Sequence, residues 1–309
     1  MKTIKNFDKE TTMEIRNLYS FVRVAEMGSF TKAADFLGYT QSSISFQIKQ
    51  LEQELKCLLF ERINHTILLT DEGRKLLEYA HAILQLSDEC KQALSGSGQV
   101  RGLIHVVTPD SICEDMIRSN YLDFSARYPE IRLKFTTADT KDMFAMLDQN
   151  KADVILTLDS HFYDSNHIVA KEKKVNMHFV AGKDNPLAGK KNISLQEITR
   201  FPLFLTEKNM GYRRIFEQEL EKRSIEVTPA LEIGRTDLIV TLLERSEGIS
   251  YLPDFVTDEV IKSDRLVYLD IQDFDTDIWK QLIYHKNKWM SQALKVFIDY
   301  VKTREFEHS

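Results

Sequence analysis

Residues 29–60, SFTKAADFLGYTQSSISFQIKQLEQELKCLLF, constrain this chain more than any other stretch. Two helical patterns meet there at a turn containing glycine. Ser29 is a candidate N-cap, Ala33, Ala34 and Leu37 form the apolar stripe of a first helix, and Gly38 can take the left-handed conformation that ends it. Thr40 can cap a second helix, in which Ile44, Ile48, Leu51 and Leu55 recur at helical spacing and face inward. Gln41, Ser42, Ser43, Ser45 and Lys49 are left facing outward, and no acid occurs from Gly38 to Gln50. Short hydrogen-bonding side chains without negative charge suit a helix that enters the major groove of DNA. An ordinary helical hairpin with a solvated face has the same turn, so the pattern alone leaves both readings open.

The rest of the chain bounds these readings. With 309 residues it is too long for one ordinary core and is expected to hold two or three domains. Its net charge is −6, so no global positive field draws it to nucleic acid, and DNA binding has to rest on a local patch and on shape. Cys57, Cys90 and Cys113 lie far apart with no CxxC, which suits buried thiols in a reduced, cytoplasmic chain. No apolar run approaches the ~20 residues needed to cross a bilayer, and the N-terminus is not a signal peptide. HExxH, P-loop, GxGxxG and GxSxG motifs do not occur, the eight histidines are scattered, and His161 and His167 lack further ligands at metal spacing. No catalytic residue, metal site or cofactor is therefore expected.

Residues 13–72 resemble the DNA-binding domain of LysR-type transcriptional regulators. The resemblance rests on Leu18, Phe21, Val24 and Ala25, then Gly28-Ser29-Phe30, Ala33-Ala34, Leu37, Thr40-Gln41-Ser42, Ser45, Gln47-Ile48, Leu51-Glu52, Leu55, Leu59-Phe60, Arg62 and Leu69-Thr70. So many matches at fixed spacing are far more specific than a bare helix-turn-helix, and the likeness extends more loosely over the remaining chain. It implies an α/β protein with an N-terminal winged helix-turn-helix, a long linker helix, and a two-lobed, periplasmic-binding-protein-like effector domain. The expected boundaries are an extension at 1–12, the winged helix-turn-helix at 13–70, the linker helix at 71–98 and the effector domain at 101–305. Lobe 1 takes about 101–171 and 277–305, and lobe 2 about 172–276. The chain crosses between lobes near 170–174 and 272–278.

The DNA-binding residues so implied are Ser29, Thr31, Thr40, Gln41, Ser42, Ser43, Ser45, Phe46 and Lys49, with Arg62 and His65 on the wing. Ile63, Thr66, Ile67 and Leu68 favour the short strands such a wing needs. Arg62 can instead form an ion pair with Glu61 or Glu52. Three positions depart from the family. Phe46 stands where Arg or His is usual and either meets a thymine methyl or packs on its neighbours. Lys56 replaces the Gly that usually ends the helix. His65 replaces a stronger cation, so its charge depends on pH. In the N-terminal extension, Thr11 with Glu14 can form a capping box, and translation can start at Met1 or at Met13.

From Thr70 the pattern predicts one long helix, with Thr70 as its cap. Leu76, Ala80, Ile83, Ser87, Cys90 and Leu94 form a heptad seam that Leu77 and Leu84 broaden. The resemblance implies that this seam pairs with a second subunit, giving a homodimer or homotetramer; packing on the chain's own effector domain is the alternative. SGSGQVRG at 95–102 reads as a flexible linker.

Strands are then expected at 103–108, 131–137 and 153–158, with helices at 111–127 and 140–150. A strand near 175–181, a capping box Ser194…Glu197, a strand at 203–206, a helix at 211–223, a strand at 230–233 and a helix at 236–246 follow. Alternation of this kind predicts two doubly wound α/β lobes. Ligands in such sheets bind beyond the strand ends, where helix N-termini point. Ser111, Thr137, Thr206 and Thr236 stand at such places and are the candidate effector-binding residues, unless each is an ordinary helix cap. A carboxylate effector suits them, although Asp110 works against an anion. The resemblance thus implies a regulator of transcription that binds double-stranded DNA at an interrupted palindromic operator, answers to a small-molecule effector and is able to contact RNA polymerase. A redox sensor based on Cys113, or a solute-binding protein with an unrelated hairpin, are the competing readings.

Overall fold

Helices α1 (Ile15–Met27), α2 (Phe30–Leu37) and α3 (Gln41–Leu55) precede an antiparallel pair, β1 (Phe60–Ile63) and β2 (Thr66–Leu69), and the long helix α4 (Asp71–Leu94). The computed structural model describes residues 13–63, 66–94 and 100–306. Local chemistry sets each boundary. The Ser29 hydroxyl accepts the Lys32 N–H at 3.3 Å at the start of α2. Gly38 ends that helix at φ 69°, and the Tyr39 N–H returns to the Ala34 carbonyl at 2.9 Å. Thr40 accepts the Ser43 N–H at 3.2 Å to start α3. Lys56 ends α3 at φ 54°, the left-handed conformation that glycine adopts without strain. Glu14 itself is the N-cap of α1, without a side-chain cap bond, and Thr11 lies outside the described residues.

Leu18, Phe21 and Val24 of α1, Ala33 and Ala34 of α2, and Ile44, Ile48 and Leu51 of α3 meet in one core. Leu55, expected to face inward, is 38% exposed, because the last turn of α3 runs past that core. Thr70 caps α4 as expected. Its hydroxyl accepts the Gly73 N–H at 2.9 Å and donates to the Leu58 carbonyl at 2.7 Å. A Cβ on Gly73 would lie 2.2 Å from the Leu59 carbonyl oxygen, so this close crossing requires glycine.

Residues Val100–Lys286 and Ala293–Ser309 form a second unit, while Asn287–Gln292 cluster with the first. The second unit begins with β3 (Gly102–Thr108), α5 (Asp110–Ser119), α6 (Tyr121–Arg127), β4 (Ile131–Thr137), α7 (Thr140–Asp148), β5 (Val154–Asp159) and β6 (His167–Lys174). The helix expected over 111–127 is thus two helices that meet at Asn120. The chain then builds β7 (Met177–Gly182), α8 (Leu195–Ile198), β8 (Phe204–Leu205), α9 (Gly211–Glu221), β9 (Leu231–Glu232), α10 (Thr236–Leu243), β10 (Ile249–Pro253), α11 (Asp254–Lys262) and β11 (Leu266–Tyr268). It returns through β12 (Trp279–His285) and ends in α12 (Gln292–Phe306). The crossings fall between β6 and β7 and between β11 and β12.

Lobe 1 carries the sheet β4-β3-β5-β12-β6, parallel through β4, β3 and β5, with β12 antiparallel to both neighbours. Lobe 2 repeats this arrangement in the order β9-β8-β10-β7-β11. Its β7 runs antiparallel between β10 and β11, β8 and β9 pair in parallel, and a parallel bridge from Leu203 to Ile249 joins the start of β8 to β10. β7 is the antiparallel strand because it enters lobe 2 directly from β6 without an intervening helix. Its side chains alternate between two apolar layers, Phe179 and Ala181 on one face and Val180 on the other. The capping box forms as expected, with the Ser194 N–H donating to Glu197 at 3.2 Å.

Candidate nucleic-acid interface and effector cleft

The outward face of α3 carries Gln41, Ser42, Phe46 and Lys49, all exposed, with Ser43 and Ser45 half-buried between them. Phe46 is 68% exposed, so it does not pack on its neighbours and is free to contact a ligand. The Gln41 amide donates to the Ser45 hydroxyl at 2.9 Å, and the Thr40 hydroxyl lies 2.9 and 2.8 Å from those of Ser42 and Ser43. These exposed bonds are exchangeable for bonds to base edges at little net cost. On α2, Thr31 is exposed and Ser29 half-buried at the helix start.

Polar groups behind α3 fix its position. Ser20 donates to buried Gln47 at 2.5 Å, and Asn17 donates to Gln50 at 3.2 Å, joining α1 to α3. Glu52 accepts the Leu59 N–H at 2.8 Å and so ties α3 to the wing. These roles of Gln47 and Glu52 go beyond the expected DNA-contacting set. The signal was present in Gln47, a polar residue at an inward position beside Ile44 and Ile48. Arg62 pairs with Ile67 in the hairpin, but its side chain and all of His65 lie outside the described residues.

The apolar face of α4 is shared. Ala80 and Leu84 are 0% and 2% exposed in the core beneath α1, and Leu76 packs against that core. Ala80 is thus taken up by the chain's own core, while Leu76 remains half-buried. The side chain of Leu94 lies outside the described residues. Left uncovered are Tyr79 at 70%, Ile83 at 36% and Leu86 at 68%, with exposed Cys90 at the next step of the same spacing.

In the second unit the starts of α5 and α10 face each other across the two lobes. Ser111, Thr206 and Thr236 are 3%, 4% and 1% exposed, and their hydroxyls have no hydrogen-bond partner. They are not helix caps; the capping positions of α5, α9 and α10 are Pro109, Met210 and Arg235. Buried hydroxyls without partners cost free energy unless a ligand supplies the bond. The hydroxyl of Thr108, at the end of β3, shares this condition, and the buried Tyr212 phenol of α9 faces the Thr206 hydroxyl; neither was foreseen. Burial pushes the Tyr212 phenol up to about 12, so it stays a donor. Thr137, by contrast, is exposed at the end of β4.

Charge surrounds this group. Carboxylate oxygens of Asp110, Glu114 and Asp237 come within 4.8 Å of one another. Arg235 bonds Asp237 at 2.5 Å and lies 3.9 Å from Asp110. Burial raises the carboxyls of Asp110 and Glu114 above their ordinary range. Burial, then Asp110 and Glu114, also raises the Cys113 thiol, which opposes the reactive thiolate a redox sensor needs.

A separate cavity of about 610 Å³ is lined by residues from 139–144 and 157–162 of lobe 1 and by Asn209 and Arg214 of lobe 2. Asp159 at the end of β5 and Arg214 of α9 pair across it at 2.6 Å, and Thr140 donates to Asp159 at 2.7 Å. Phe144 and Phe162 form its apolar wall, with ring centroids 4.1 Å apart.

Comparison with known proteins covers both units. A family described as the LysR substrate binding domain matches residues 97–305. A second, the bacterial regulatory helix-turn-helix protein of the lysR family, matches residues 15–74. The chain is 31% identical over 290 residues to the uncharacterized HTH-type transcriptional regulator YwqM of Bacillus subtilis, covering 93% of this chain and 98% of that one. It is 26% identical to the RuBisCO operon transcriptional regulator of Allochromatium vinosum, over 94% of this chain and 95% of the relative. Among solved structures, full-length OxyR from Pseudomonas aeruginosa, in a variant with one cysteine replaced by aspartate, superposes with a TM-score of 0.61 at 18% identity, covering 94% of this chain and 95% of the other. CrgA, a LysR-type transcriptional regulator from Neisseria meningitidis, gives 0.53 at 21% identity, covering 93% and 97%. At these identities the likeness is one of fold.

Proposed function

The chain belongs to the LysR family of transcriptional regulators, and from that premise we propose how its residues divide the work. The protein is a DNA-binding regulator whose second unit is an effector-binding domain. In our reading Gln41, Ser42, Ser45, Phe46 and Lys49 meet base edges in the major groove. Ser29, Thr31, Thr40 and Ser43 hold the helix starts against phosphates, and Arg62 and His65 reach the flanking backbone. The observation that carries this reading is the outward face of α3, polar and free of acid from Gly38 to Gln50 in a chain of net charge −6.

The uncovered stripe Tyr79, Ile83, Leu86 and Cys90 joins two copies into a homodimer, and dimers into a tetramer. Such a dimer presents two α3 helices to an interrupted palindrome. Ser111, Thr206, Thr236 and Tyr212 hold the effector between the lobes, with Thr137 at the rim. The protein acts in the cytoplasm and meets RNA polymerase at the promoter. Among the described residues no helix is long and apolar enough to cross a membrane. The cysteine-based alternative has less support, given the raised Cys113 thiol.

A mobility-shift titration with DNA upstream of its own gene tests the reading. Retardation of that fragment well below the concentration that retards a shuffled duplex is expected; equal retardation contradicts it.

A further inference from the structure

We infer that the effector is a small zwitterion, an α-amino acid with an apolar side chain, bound between Asp159 and Arg214. The inference rests on reading the interlobe cleft as the effector site and names the chemistry selected by the part of it at Asp159 and Arg214, a cavity that Ser111, Thr206 and Thr236 do not themselves line.

Asp159 stands at the floor of the cavity, 4% exposed, on lobe 1. Arg214, its partner at 2.6 Å, comes from lobe 2 and is about half exposed at its side chain. A simple anion drawn to Arg214 would lie against the buried Asp159 carboxylate and displace its countercharge, which is costly in a poorly solvated site. A simple cation drawn to Asp159 would displace Arg214 and leave its half-exposed guanidinium without a carboxylate partner. A zwitterion avoids both costs. Its ammonium replaces Arg214 on Asp159, its carboxylate takes the Arg214 guanidinium, and the net charge of the site is unchanged.

Two further observations fit this ligand. The Thr157 hydroxyl lines the cavity, 2% exposed and without a hydrogen-bond partner, and so offers a bond to the ligand's polar end. Phe144 and Phe162 supply an apolar wall for a side chain. The cavity lies within the range of sites for small molecules.

Regulation follows from the same geometry. A Cβ on Gly211 would lie 2.3 Å from the Leu158 carbonyl oxygen and 2.7 Å from an Asp159 carboxylate oxygen. The start of α9 thus presses directly on the end of β5. A ligand that takes over the Asp159–Arg214 pair must enter between the lobes and change their spacing there, which gives it unequal affinity for the two arrangements.

Thermal shift and operator affinity of the full chain test this with defined probes. The proteinogenic amino acids are screened singly. Alongside phenylalanine run 3-phenylpropanoate, which lacks the ammonium, and phenethylamine, which lacks the carboxylate; leucine runs with 4-methylpentanoate and isopentylamine. At least one amino acid should raise the melting temperature and change operator affinity, while its two partial analogues at the same concentration do neither. Arg214→Gln, at a half-exposed position that folding tolerates, should weaken that amino acid at least about tenfold. Asp159→Asn should weaken it too and bring the carboxylate analogue level with it. A partial analogue as effective as the amino acid, no response to any amino acid, or full affinity in Arg214→Gln overturns the proposal. A wider metabolite set separates the two claims. If sugars, phosphates or carboxylates act where amino acids do not, the cleft stands and the zwitterion falls. If no compound changes stability or operator affinity, the cleft reading falls as well.

Discussion

Gln41 and Ser45 bond each other at 2.9 Å on an exposed helix face, a pair poised to trade partners with a base edge. Replacing either with alanine should cost about 1–3 kcal/mol in binding the specific operator and little on random DNA. Fluorescence anisotropy on both duplexes reads the difference, and equal losses would move these residues to phosphate positioning. His81 on α4 gives the N-terminal unit a pH dependence. Burial, then Lys288 and Arg23, lowers its pKa from 6.5 to about 4. Because the folded pKa lies below the unfolded one, the neutral ring's contribution is complete above pH 6.5 and is lost as pH falls toward 4. The loss from pH 7 to pH 5 should be about 2 kcal/mol, seen as a lower melting temperature that His81→Gln abolishes. An unchanged slope in that variant would place the sensitivity elsewhere.

At the level of elements, α4 shows what the sequence yields and what it withholds. Its start at Thr70 and its heptad periodicity were legible, because capping and spacing are local. Which stripe stays uncovered was not, because that depends on where α1 lies, and Ala80 and Leu84 are spent on the chain's own core. The same division holds in the cleft. Ser111, Thr206 and Thr236 were legible as hydroxyls at helix starts, whereas Asp159 and Arg214 come together only through a lobe contact that no local pattern encodes. Strands β6 and β12 likewise lack a local signal, since β12 is completed by pairing with strands more than a hundred residues earlier. The uncovered stripe makes a sharp expectation. Leu86→Asp should yield a folded monomer by sedimentation with unchanged circular dichroism, and operator binding should fall with the dimer. Leu84→Asp should instead unfold the N-terminal unit, because it buries an unpaired charge. A Leu86→Asp protein that stays dimeric refutes the seam.

On the scale of the whole molecule, regulation needs a ligand that binds two arrangements of the lobes unequally. Ser111 of lobe 1 and Thr206 of lobe 2 are buried without hydrogen-bond partners. Removing either hydroxyl should therefore leave stability nearly unchanged. It should also weaken the effector response by about 1–3 kcal/mol, more if the bonded group is charged. Melting temperature and effector-dependent operator affinity, measured on Ser111→Ala and Thr206→Ala, separate this from a structural role, which would lower stability and spare the response. The central claim is that paired α3 helices of this chain read a defined DNA sequence. Selection of bound duplexes from a random pool by the full chain tests it most directly. An enriched interrupted inverted repeat, lost when Gln41→Ala replaces the native protein, is the expected result; a bound pool with no enriched sequence would contradict the account.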